Sequence, residues 1–331
     1  MRGLRIGVVT PFSPFSRRIR KLIEDRGFPV IELKLFEPSE QGGTTLTEFQ
    51  EEIVVTQALD ADIFPHLDLM FFGGNEQETF SDHALAAAEE GVLTVVYGFS
   101  DIEAPIILPG VNSEGLSKDT RLLRAARAPS ILLGSVLAAL TRSLEVREAR
   151  STVLLPASDK GDEGIKELHQ QVASILNFQS PPADVFAEQL AFNLLNNDGD
   201  DSRGIPGEII ARESSEIAGM KGGVSVMSVQ APIFHGYALT LWVRLADDAT
   251  TDQISKAIRA SSVLRLSRSG TKAASPVSVS ESDKIHVGAI RRDGSTAGGF
   301  WLWVVADEVA VDPAAKVVPL VEKLLGIDQK H

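Results

Sequence analysis

Hydrophobic positions along the chain fall into two periods, and the first hundred residues alternate between them. Leu4 to Thr10 is a run of apolar, largely β-branched residues and predicts a buried strand. Pro14 to Arg26 repeats at helical spacing, with Ile19, Leu22 and Ile23 on one face. Ser13 suits the N-cap, Pro14 the first helical position, and Gly27 the stop. Val30 to Phe36 is a second strand and completes the opening of a βαβ unit. Thr44 to Phe49 and Glu51 to Thr56 alternate like a short hairpin. Leu67 to Phe72 predicts a third buried strand ending in Gly73-Gly74, Thr79 to Glu90 a helix, and Val92 to Val96 and Pro105 to Leu108 two further strands. Strands alternating with helices imply a doubly wound, mostly parallel sheet.

The pattern changes after Arg127. Arg127 to Leu140 reads R-A-P-S-I-L-L-G-S-V-L-A-A-L, with Ser130 as the expected N-cap of a helix from Ile131 to about Leu144. That helix is apolar nearly all round and must be buried. Strands follow at Arg150 to Leu155, Gly223 to Val229, Ala238 to Leu245, Ile285 to Arg291 and Phe300 to Val305. Helices are expected at Ile165 to Leu176, Glu208 to Ala218 and Pro313 to Leu325, with a loop-like stretch from Gln179 to Asp201. Strands in series rather than in alternation imply a large mixed or antiparallel sheet. The serine- and lysine-rich stretch Ser267 to Ser282 is expected to be the most mobile loop.

With 331 residues, two domains are expected. The net charge of −13 argues against a nucleic-acid partner. No apolar run reaches bilayer length, and Met1 to Arg5 leads straight into a strand, so a cytoplasmic protein without a membrane partner is expected. The chain contains no cysteine, which removes disulfides, thiolate metal sites and cysteine nucleophiles together. The six histidines, His66, His83, His169, His235, His286 and His331, show no metal-binding spacing, so no metal is expected.

The turn after the first strand is where a dinucleotide fold keeps its phosphate loop. Here it reads Thr10-Pro11-Phe12-Ser13-Pro14-Phe15-Ser16, without glycine. Pro11 and Pro14 remove two N–H donors, and Phe12 and Phe15 are bulky enough to fill the phosphate volume. The alternative is that Ser13, Ser16 and Arg17 hold an anion at the helix start. Glu37, after the second strand, would repel the extra phosphate of NADP and at most suit NAD.

Six ordered stretches together resemble the aspartate-semialdehyde dehydrogenase family: Arg26-Gly27-Phe28-Pro29, Phe72-Gly73-Gly74, Ala191-Phe192-Asn193, Ala231 to Tyr237, Val287 to Asp293 and Leu302 to Asp307. The resemblance spans nearly the whole chain. It implies a Rossmann-type, NAD(P)-binding-like domain over 1–129, completed by a C-terminal helix in 312–331, and an α+β dimerisation domain with a large mixed sheet over 130–311. It also implies an NADP-dependent reaction through a cysteine thiolate at the start of the buried helix. Carried over residue by residue, the nucleophile falls on Ile131, the acid/base histidine on Tyr237, the carboxylate-binding arginine on Gln230 and the phosphate-binding arginine on Phe99. The glutamine after the strand falls on Leu155 or Pro156, and the asparagine of the last strand on Glu308. Isoleucine forms no thioester, and a phenol is a poor base near neutral pH. No catalytic residue, and no cofactor at the degenerate loop Pro11, Phe12, Ser13 and Ser16 with its retained Gly73 and Gly74, is therefore expected. The implied protein is a homodimeric relative without catalysis or NADP binding, a non-enzymatic or regulatory protein that pairs with itself or with an active family member. The alternative is an oxidoreductase or binding protein for another ligand in the same interdomain cleft, anchored by Tyr237, His235 and Gln230.

Three other groupings have both a chemical and a plain structural reading. Ser130, or Ser135, with His235 is a substitute nucleophile and base, or else a helix cap and a surface histidine. Asp159, Asp162 and Glu163 are a cation loop or a solvated turn. Trp301 and Trp303 lie on one face of the last strand, as packing or dimer contacts rather than a ligand box.

Overall fold

The computed structural model describes residues 3–37, 46–49, 52–74, 78–99, 101–198, 204–267 and 274–327. The elements in chain order begin with β1 (Leu4–Val9), α1 (Pro14–Asp25), β2 (Val30–Glu37), β3 (Leu46–Phe49), β4 (Glu52–Ala58), β5 (Leu69–Gly73), α2 (Glu78–Glu89), β6 (Leu93–Tyr97) and β7 (Leu122–Ala125). They continue with α3 (Ala128–Thr141), β8 (Glu148–Leu155), α4 (Gly161–Leu176), β9 (Leu195–Asn196), α5 (Gly207–Ala218), β10 (Val224–Gln230) and β11 (Tyr237–Arg244). The last are α6 (Thr251–Ala260), β12 (Leu264–Leu266), β13 (Ile285–Arg292), β14 (Gly299–Ala306), α7 (Glu308–Val311) and α8 (Pro313–Leu325). The chain divides into two compact units, the first made of 1–109, 113–127 and 313–331, the second of 110–112 and 128–312.

The first unit is built on a seven-stranded sheet in the order β3-β4-β2-β1-β5-β6-β7. All neighbours are parallel except the edge hairpin of β3 and β4. Its central strands are apolar on both faces because helices cover both. Ile6, Val8, Phe71 and Val95 pack with Ile19 and Ile23 of α1 and with Val317, Val318 and Val321 of α8. Val9, Met70, Phe72 and Val96 pack on the other side with Phe80, Ala84 and Ala87 of α2. α1 begins as expected: Ser13 Oγ accepts from Ser16 N–H at 3.1 Å and Pro14 follows the cap. The Arg26 guanidinium meets Glu322 with two bonds of 2.7 and 2.6 Å, joining the end of α1 to α8. That partner raises the Arg26 pKa, chiefly by hydrogen bonding.

The second unit is a mixed seven-stranded sheet in the order β12-β13-β14-β11-β8-β10-β9. β8 runs parallel to β10 and antiparallel to β11. One face, carrying Val153, Leu239, Leu241, Val243, Phe300, Leu302 and Val304, is fully buried. α3 packs against β11 and β14, and α5 against α3 and β10. Gly134 permits the close approach of α3 and α5, since a Cβ there would lie 2.9 Å from Ile217 Cβ. The opposite face is open over much of its area. Register places Arg150, Trp242 and Trp301 abreast, then Thr152, Thr240 and Trp303. Trp301 is 37% exposed and Met227, opposite Thr152 on β10, is 53% exposed. The two tryptophans thus share a face, as expected.

Several expectations are corrected. Ser130 does not cap the buried helix, which starts two residues earlier at Ala128. Residues 105–108 form no strand; proline at both flanks limits pairing, and β7 takes the place beside β6. β7 was hidden because it is only four residues long and Arg124 interrupts its apolar run. α6 was also unforeseen, although Thr250 and Gln253 carry the sequence signature of a capping box and form one. Part of the predicted mobile loop, 268–273, lies outside the described residues, as do 44–45 and 51 of the hairpin; 276–279 is a capped 3-10 turn.

The loop-like stretch after α4 is irregular but held by two buried side chains. Glu167 accepts from the amides of Asp184, Val185 and Phe186 at 2.8, 2.6 and 3.1 Å. Gln171 Oε1 accepts from Leu190 and Ala191, and its Nε2 donates to Pro182 and Glu188 carbonyls. Glu167→Ala strands three loop amides, so urea unfolding is expected to show a loss of about 3 kcal/mol. Limited proteolysis of that variant is expected to cut within 182–191.

Candidate functional site

The polar groups of the second unit gather at the C-terminal ends of β8 and β10 and the start of β11. A 3-10 turn, Ala157–Lys160, leaves β8 and runs into α4. It carries Ser158, Asp159 and Lys160. α7 brings Glu308, with Asp307 Oδ1 capping it through Val309 N–H at 3.0 Å. Glu308 is the hub: its carboxylate accepts from Ser158 Oγ, from His235 Nδ1 at 3.1 Å and from Gly236 N–H at 3.3 Å. Tyr237, 5% exposed, donates its phenol proton to Asp159 Oδ1 at 2.8 Å. Burial lowers the Lys160 pKa, against the opposing pull of Asp159.

The chemistry of this arrangement is restricted by its order. In a hydrolytic triad the imidazole stands between hydroxyl and carboxylate and takes the hydroxyl proton. Here the carboxylate stands in the middle, so Ser158 and His235 both donate to it and neither activates the other. Tyr237 likewise spends its proton on Asp159. The residues that the resemblance put in catalytic positions are wired into the scaffold or buried in hydrocarbon. Ile131 is 1% exposed in the first turn and a half of α3. Gln230, wholly buried, donates from Nε2 to the Leu155 and Pro156 carbonyls at 3.0 and 2.7 Å. Phe99, 2% exposed, lies in the core of the first unit with Phe72 and Phe80.

The proposed Ser130–His235 pair is not formed. Ser130 is wholly buried, its carbonyl accepts from Ser214 Oγ at 3.4 Å, and its own Oγ has no partner among the described residues. His235 is exposed and bonded to Glu308. Asp162 and Glu163 sit in the first turn of α4, where negative charge suits the helix dipole. Glu308 is the member of this cluster that motif reading treated only as a replaced asparagine. Its signal was its place directly after Ala306-Asp307, a capping residue that starts a new helix.

In the first unit, Phe15 of the β1–α1 turn is 5% exposed and stacks on Tyr97 with centroids 4.4 Å apart. Thr10 takes a positive φ of 50° and Ser16 Oγ donates to the Val9 carbonyl at 3.3 Å. Gly73 and Gly74 serve the fit of β5 against this turn: a Cβ on Gly73 would stand 2.6 Å from Ser16 Oγ, and one on Gly74 2.8 Å from Thr10 Oγ1. Arg17 is exposed beside Ser13 at the start of α1. An anion here would meet serine hydroxyls and a guanidinium rather than a cradle of glycine amides.

A doubly wound parallel sheet in one unit and a mixed sheet with one open face in the other define a two-domain α/β protein of the dehydrogenase type. The family model described as semialdehyde dehydrogenase, dimerisation domain, matches residues 137–311, and the chain belongs to that family. A USG-1 protein homolog of Pseudomonas aeruginosa is 27% identical over 330 residues, covering 97% of this chain and 98% of that one. The solved structure of a probable aspartate-semialdehyde dehydrogenase from the same species is 26% identical with a TM-score of 0.81, covering 98% and 99% of the two chains. A third structure corrects an expectation. Aspartate-semialdehyde dehydrogenase from Candida albicans, solved with NADP, shares the fold at a TM-score of 0.68 and 14% identity, covering 98% of this chain and 99% of that one. The expectation of no cofactor does not stand against a relative of the same architecture that carries NADP. No helix among the described residues is long and apolar enough to cross a membrane.

Glu308→Ala removes the acceptor of three donors. The carboxylate is 37% exposed, so water replaces part of what is lost. A decrease of about 1–2 kcal/mol in unfolding free energy is expected by urea titration, with far-ultraviolet circular dichroism unchanged.

Proposed function

We propose that this chain keeps the semialdehyde dehydrogenase scaffold but does not carry out acyl transfer through a thiolate. The observation that carries this reading is Ile131, in a chain without any cysteine, at the position the resemblance gives to the nucleophile. A covalent acyl intermediate needs a lone pair on the attacking atom, and an isoleucine side chain has none. The surrounding replacements support the same reading. The Gln230 amide is committed to backbone carbonyls, so it cannot clamp a carboxylate as a guanidinium would. The Tyr237 hydroxyl is committed to Asp159 and is a poor base. NADP, the nucleotide of the Candida relative, is assigned to the C-terminal edge of the first unit's sheet, with Ser13 and Arg17 nearest its phosphates. The protein then acts as a dimeric, non-enzymatic or regulatory member of the family.

Purified protein supplied with aspartate semialdehyde, phosphate and NADP is expected to give no NADPH above a protein-free control. Ile131→Cys alone is expected to stay at that level, because Gln230 and Tyr237 are unchanged. Turnover by the native chain at about 1 s⁻¹ or faster, an ordinary enzymatic rate, overturns the reading.

The open face of the second unit's sheet supports a homodimer. Trp301, Thr240 and Met227 are exposed on it, and apolar sheet faces of this size are normally covered. Thr240→Asp combined with Trp301→Asp sets like charges against each other across a two-fold axis. Light scattering is expected to read twice 35.6 kDa for the native chain and 35.6 kDa for the double variant. A monomeric native chain at micromolar concentration overturns this part.

A further inference from the structure

The segment between β12 and β13 folds over one end of the second unit's sheet. In its 3-10 turn, Val279 packs on Ala238 of β11 and Val305 of β14. The chain then returns through Glu281 and Ser282 to the start of β13. That return is held in place. Ser282 N–H donates to the Val279 carbonyl at 3.0 Å, and Glu281, at a positive φ of 62°, donates its N–H to Asp307 Oδ2 at 3.1 Å. A non-glycine residue in that region is strained and persists only where its surroundings hold it. The turn sets Ser282 Oγ 2.9 Å from Nε2 of His286 on β13. Both residues are half-buried.

The direction of this bond follows from what surrounds it. Ser282 Oγ already accepts from Lys284 N–H at 3.3 Å, so its proton is left for the imidazole. Burial lowers the His286 pKa and the nearby Arg265 guanidinium lowers it further, so near neutral pH the ring is uncharged and can accept. Hydroxyl and imidazole are thus ordered as nucleophile and base, the order that Ser158 and His235 lack. Two further groups stand beside them. The N–H of Asp283, the residue after Ser282, makes no bond among the described residues and can donate to a carbonyl oxygen as it turns negative. Arg265 on β12 lies in register with His286, is exposed and forms no ion pair among the described residues. A guanidinium so placed draws an anion.

We propose that Ser282 is an acyl-accepting serine, served by His286 as base, for an activated carboxylic ester that carries a negative charge. Oγ attacks the ester carbonyl carbon while Nε2 takes the hydroxyl proton. The bond to the leaving oxygen then breaks, and the imidazolium returns its proton to that oxygen, which departs as the alcohol. The acyl group stays on Ser282 as an ester. This is a single covalent modification rather than turnover, so it stands beside the non-enzymatic reading and does not depend on Ile131.

The test uses the full chain with 4-acetoxy-3-nitrobenzoate as the charged donor and 2-nitrophenyl acetate as the neutral one. Peptide mass spectrometry locates the acetyl groups, and loss to neutral hydroxylamine separates serine esters from lysine amides. Ser282 is expected to be labelled at least about tenfold faster than Ser280, which is the more exposed but has no imidazole beside it. With each rate divided by hydrolysis in buffer, the charged donor is expected to be preferred about tenfold, and Arg265→Gln to bring that preference near one. His286→Gln is expected to slow Ser282 labelling about a hundredfold, with lysine acetylation unchanged. Labelling of Ser282 no faster than of Ser280 overturns the proposal, and that comparison needs only the native chain. Undiminished labelling of Ser282 in His286→Gln overturns it as well. No preference for the charged donor, or a preference that survives Arg265→Gln, overturns the assignment of a charged ester.

Discussion

A helix that is apolar on every side can exist in water only inside a protein, and α3 sets this constraint for the second unit. All its residues from Ala128 to Leu140 are buried. Helices and sheet must therefore enclose it, and α5 can do so only because Gly134 lets the two axes close together. The start of such a helix is a position of high electrostatic value, with free amides and the positive end of the dipole in a dry surrounding. A reactive group placed there would be strongly stabilised. Hydrocarbon placed there makes the same segment a packing element, and Ile131 is what the chain supplies.

The polar cluster around Glu308 ties separate segments of the second unit together by hydrogen bonds. Each hydroxyl or imidazole proton has an acceptor already assigned to it within the chain. Ser158 and His235 converge on one carboxylate, Tyr237 on another, and Gln230 on two main-chain oxygens. These bonds hold the 3-10 turn after β8 against the start of β11, while Gln230 Oε1 has no partner among the described residues. The first unit follows similar logic at its β1–α1 turn, where Gly73 and Gly74 make room for Ser16 and Thr10.

Much of the architecture was legible in hydrophobic period alone. The strands of the first unit are apolar on both faces and stand out as runs; α1 carries a Ser13 cap, and α1, α4, α5 and α8 carry apolar stripes that mark them within a few residues. The misses share a cause. β7 is short and holds Arg124, with Arg121 directly before it, so its run looked too polar for a strand. The residues after Pro105 looked like a strand because they are apolar, although proline limits their pairing. Ser130 looked like a cap because Pro129 precedes it, yet the helix begins at Ala128 and tolerates proline in its first turn.

The sequence by itself determined that this chain has no cysteine chemistry and which faces of its helices and strands turn inward, because side-chain type and spacing are local properties. A chain without sulfur nucleophiles has none however it folds. Only the tertiary structure decided which polar groups meet. Glu308 stands 150 residues from Ser158 and Tyr237 78 residues from Asp159, and no period or motif couples positions so far apart. The same holds for Phe15, whose ring stacks on the distant Tyr97.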